Sequence, residues 1–171
     1  MKDWVLENTR RFQELERREI TAWRGFELTL RKRGADGFPL FDPGAPAREL
    51  LHLELVPSRG PALRVVAGSE HGFGLCFTAS TDGPKDEPGE AGSPDTALSL
   101  PTGVVERVRI FYDEQTRLKR VLLRIAGAWV ELVAGELVVG EGSRRVLLGS
   151  EEALLVRELP TTEESDFPQR P

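Results

Sequence analysis

Apolar and polar positions along this chain follow two periods, and the change from one to the other falls near residue 20. Before it, Trp4, Phe12 and Leu15, with Val5 at the edge, fall within a stripe about 100° wide on a helical wheel, which predicts a helix over residues 3–17. Glu7 with Arg11 and Glu14 with Arg18 stand i,i+4 in the favourable order, and Asp3 is placed to cap the start. After Ile20 the period becomes two. Phe26-Glu27-Leu28-Thr29-Leu30-Arg31 alternates as a half-buried strand does, and so does Leu51-His52-Leu53-Glu54-Leu55, which Pro57 and Gly60-Pro61 bring to an end. Leu63–Val66 and Gly74–Thr78 read as two further strands.

Between these runs lie segments of other composition. Phe38–Pro46 is rich in Pro and Gly but carries Phe38, Leu40 and Phe41, enough apolar area to fold back onto the body. Residues 81–103 begin with fifteen positions that hold no large apolar side chain. Such a stretch does not offset its ordering entropy by burial, so it reads as a mobile acidic loop inserted within one domain.

The second half predicts an antiparallel meander. Val104, Val108, Ile110 and Tyr112 share one face with Glu106 as the exception, and Asp113–Thr116 turns into Leu118–Ile125. Ala126-Gly127 turns into Ala128–Val133, and further strands follow at Glu136–Val139 and Arg145–Leu148. Ala153–Leu159 is a last strand or short helix. Turn signals recur about every 8–12 residues, the spacing of a meander, sandwich or barrel. The expected fold is therefore α+β and β-dominant. An N-terminal helix packs on a mostly antiparallel meander sheet or open barrel of about eight to ten strands. One domain spans 1–159, with a polar tail over 160–171.

Charge refines this picture. The formal net charge is −5, yet residues 1–33 hold nine Lys or Arg against six Asp or Glu, so the acidity belongs to the body. Glu residues interleave with the N-terminal cations, as on an ordinary ion-paired surface. An acidic body also disfavours nucleic acid as a partner. Nineteen of the twenty-three basic residues are Arg, a residue that pairs bidentately with carboxylates and suits interfaces. The first residues, Met1-Lys2-Asp3, are charged at once, and no apolar run reaches the roughly eighteen residues of a membrane span, so a cytoplasmic location is expected.

Candidate chemistry is sparse. Cys76 stands alone in the apolar run Phe73–Phe77, where a thiol behaves as a small buried hydrophobe. His52 lies opposite Leu51 and Leu53 and reads as a solvent-facing strand residue, while His71 precedes a turn at Gly72. The two histidines and one cysteine show no metal-ligand spacing, and the glycine clusters match no phosphate or dinucleotide loop. No metal site, cofactor or catalytic residue is assigned.

These features favour a non-catalytic protein-binding domain, of inhibitor, immunity-type or accessory kind, whose acidic surface steers toward a protein with a basic one. Its candidate contacts are Asp82, Asp86, Glu87 and Glu90 in the acidic loop, with Glu131, Glu136 and Glu141 as exposed strand residues. One alternative is a small-ligand carrier whose barrel interior is lined by Phe26, Leu53, Phe77 and Trp129. Another is an enzyme with a site invisible in sequence, which requires His52 or His71 in a cleft beside a carboxylate.

Overall fold

The alternating segments become strands of one antiparallel sheet that closes on itself. The computed structural model describes residues 2–27, 47–68, 74–78, 96–139, 145–148 and 153–159, with the backbone alone for 136–139 and 145–148. Helix α1 (Asp3–Gln13) is followed by β1 (Glu19–Glu27), β2 (Arg48–Pro57), β3 (Leu63–Val66), β4 (Cys76–Thr78) and β5 (Thr96–Ala97). Then come β6 (Gly103–Tyr112), β7 (Leu118–Ile125), β8 (Ala128–Ala134), β9 (Glu136–Val139), β10 (Arg145–Leu148) and β11 (Leu154–Leu159). The pairings β1–β2, β2–β11, β11–β8, β8–β7, β7–β6 and β6–β1 form a six-stranded barrel. The expected β-dominant α+β class is correct.

Long strands let the ring carry branches. One edge of β2 pairs with β1 along its length, while the other is shared between β11, at Arg48–Leu50, and β3, at Leu53–Leu55. On β1, Glu19 and Ile20 pair with β6, and Arg24 and Gly25 with β5. The β1–β6 seam is short, and the turn leaving α1 lengthens it: Arg17 N–H donates to Val105 O and Val105 N–H to Arg18 O, each at 2.8 Å. Strand β4 continues from β3, and Leu75 N–H donates to Leu118 O at 2.7 Å. Gly74 permits this approach. Its φ is +132°, and a Cβ there would stand 2.9 Å from Leu118 O.

Side chains fill the interior. Leu53, Leu55, Val121, Leu123, Val130, Leu132, Leu154 and Val156 belong to one buried cluster with Trp23, Phe12 and Leu15. Helix α1 packs against β4, β6 and β7. Its Phe12 ring lies 4.3 Å from that of Phe77, and the Asn8 amide accepts Phe77 N–H at 2.7 Å and donates to Trp4 O at 2.8 Å.

Several local expectations are corrected. Lys2 occupies the N-cap position without a side-chain bond, and Asp3 is the first helical residue. Glu7 and Glu14 both pair with Arg10, while Arg11 lies over the Phe77 ring at 4.7 Å. On β6 the buried residue is Val105, and Val104 is half exposed, because Glu106 is an extra residue between the pairs Val105–Ile125 and Arg107–Arg124. This bulge shifts the alternation by one, and Val108 and Ile110 then face the core. The meander also breaks: among the described residues β9 and β10 pair only with each other, and β11 takes the place beside β8. His52 is buried instead of solvent-facing, because Phe26, its cross-strand neighbour on β1, stands 6.0 Å away ring to ring. Phe38–Pro46, His71, residues 79–95 and the tail lie outside the described residues.

Candidate functional site: an arginine wall on the barrel

Outward positions of four neighbouring strands form a grid that register alone defines. Arg107 on β6 stands beside Arg124 on β7, then Trp129 on β8 and Leu159 on β11. The next row is Arg109, Leu122, Glu131 and Arg157, and the third is Phe111, Arg120, Val133 and Leu155. Five arginines thus share a wall whose floor is apolar. Leu122, Trp129 and Leu159 are buried there with Phe111 packed beside them.

Glu131 organises the middle of the wall. Its side chain is 4% exposed; Arg120 Nε lies 2.5 Å from one carboxylate oxygen, and Arg157 Nε donates to the other. A carboxylate that deep is stable only when both oxygens are engaged, and the two guanidinium groups do this. Glu106, turned outward by the bulge, lies 3.1 Å from Arg124 Nε and accepts Gly127 N–H at 3.1 Å. Aromatic rings hold the other faces of the cations. The Arg109 and Arg124 guanidinium carbons stand 5.1 and 5.9 Å from the Trp129 ring, and that of Arg120 stands 5.2 Å from Phe111.

The hairpin joining β6 to β7 fixes the register of this grid. Asp113 Oδ1 accepts the N–H groups of Gln115 and Arg117, both at 2.9 Å, and Oδ2 accepts Arg117 Nε at 2.6 Å. Partial burial works to raise the Asp113 pKa. The backbone and side-chain hydrogen bonds from Arg117, its charge and the Gln115 N–H together outweigh that and hold it below the ordinary 3.8. At the far end of β7, Ala126 (φ 50°) and Gly127 (φ 81°) make the two-residue turn into β8 that suits strand twist.

Chemically the wall offers oriented cations. Planar guanidinium groups, stacked on rings and clamped by carboxylates, match anionic groups that accept two parallel hydrogen bonds. Among the described residues no three His, Cys, Asp or Glu side chains are grouped to hold a metal ion, and no helix is long and apolar enough to cross a membrane. Cys76 is buried, as expected, and its thiol donates to Gly68 O at 3.2 Å.

Of the sequence-derived contacts, Glu131 is corrected: it lies inside the wall between two arginines instead of exposed on a strand. Asp82, Asp86, Glu87, Glu90 and Glu141 lie outside the described residues, and Glu136 is described by its backbone alone. The four residues expected to line one cavity do not converge. Leu53 and Phe77 belong to the interior cluster, Trp129 to the outer wall, and Phe26 stands beside His52. The wall arginines were legible in part. Arg107 with Arg109, and Arg120 with Arg124, carry the even spacing that puts cations on one face of a strand. Which face that is depends on the bulge at Glu106. No family model, curated protein or solved structure matches this chain.

Proposed function

We propose that this chain is a non-catalytic protein-binding domain that holds its partner on the arginine wall of β6, β7, β8 and β11. The observation that supports this reading is the Glu131-centred array, in which Arg120 and Arg157 share one buried carboxylate while Arg109 and Arg124 lie against Trp129. Side chains fixed in this way lose little freedom when a partner arrives, which favours association. Buried aromatic floors under arginines are also the composition of binding hot spots.

The interior supports a carrier less well. Barrels of about eight strands are just wide enough for their own side chains or one small ligand, and this one has six, filled by the leucines and valines of the core.

The test is affinity capture with the tagged full chain from its source lysate, comparing it with the variant Arg107→Glu/Arg109→Glu. The expected outcome is one protein recovered in equimolar amount, with recovery falling at least about tenfold in a variant whose circular dichroism is unchanged. Undiminished recovery by the variant would move the interface elsewhere, the acidic residues of 82–90 being the next to neutralise.

A further inference from the structure

We draw no further inference here: the strongest candidate, the two-stranded ribbon of β9 and β10, whose register places apolar residues on both faces and which among the described residues pairs with no other strand, carries nothing because nothing in the structure shows what covers it.

Discussion

Glu131 sits on a strand whose outward residues were expected to meet solvent, and its side chain is nevertheless 4% exposed. The reason is its neighbours. Leu122 stands opposite it on β7 and Arg157 opposite it on β11, while Arg120 reaches it diagonally. Long arginine stems cover apolar floor and carboxylate together while their charged ends stay partly hydrated. Removing the carboxylate leaves two guanidinium groups crowded over a buried floor. Glu131→Ala should therefore lower the unfolding free energy by about 2–3 kcal/mol, less than a fully interior pair because both arginines are about 30% exposed. Urea denaturation with an unchanged m-value would measure it. A loss under about 0.5 kcal/mol would place Glu131 among ordinary surface pairs.

At the scale of elements, hairpins and a bulge decide which side chains meet. Strands β6 and β7 carry four of the five wall arginines, and the Asp113 turn sets their register. Because the Asp113 pKa in the folded chain lies below its ordinary 3.8, the charged form stabilises the fold above that pH, and this contribution is lost as pH falls through the folded value. Asp113→Asn keeps an acceptor for the backbone N–H groups but loses the charge facing Arg117. It should cost about 0.5–1 kcal/mol at neutral pH, and the difference from the parent chain should fade at pH values well below 3.8. Melting temperatures of both chains across that range check this; a gap that persists in acid would mean that hydrogen-bond geometry, not charge, is what the turn requires. The bulge at Glu106 has the complementary role. It puts Val105 into the core, and the extra residue that does so pairs with Arg124 and caps the next turn at Gly127.

At the scale of the molecule, closure depends on short seams. The β1–β6 contact has two register pairs and the β2–β11 contact three, so neither is stable apart from the rest of the ring. Helix α1 belongs to the same unit through Phe12, Asn8 and the Arg17–Val105 hydrogen bond. Unfolding should accordingly be one transition. Tryptophan fluorescence, which reports Trp4 on α1, Trp23 in the interior and Trp129 in the wall, and far-ultraviolet circular dichroism should give coincident denaturation curves. Separated midpoints would show the wall or the helix coming apart before the ring.

Local pattern sufficed wherever a strand is covered on one side and bounded by turn residues. Leu63–Val66, Leu118–Ile125 and the hairpin at Ala126-Gly127 stand where alternation and turn chemistry put them, because period-two burial and left-handed turn residues are properties of adjacent positions. The β-dominant class followed from the same signal. Partner choice between strands did not, since β9 and β11 each carry a run of three apolar residues and only the ring shows that β11 lies beside β8. Nor did the burial of His52 and Glu131, which depends on Phe26, Arg120 and Arg157 arriving from other strands. The arginines were plain in the sequence as residues. That they form one wall was decided by a single inserted residue in β6 and by the closure of the barrel, because which face a strand side chain occupies is set by register, and register is a property of pairs of strands.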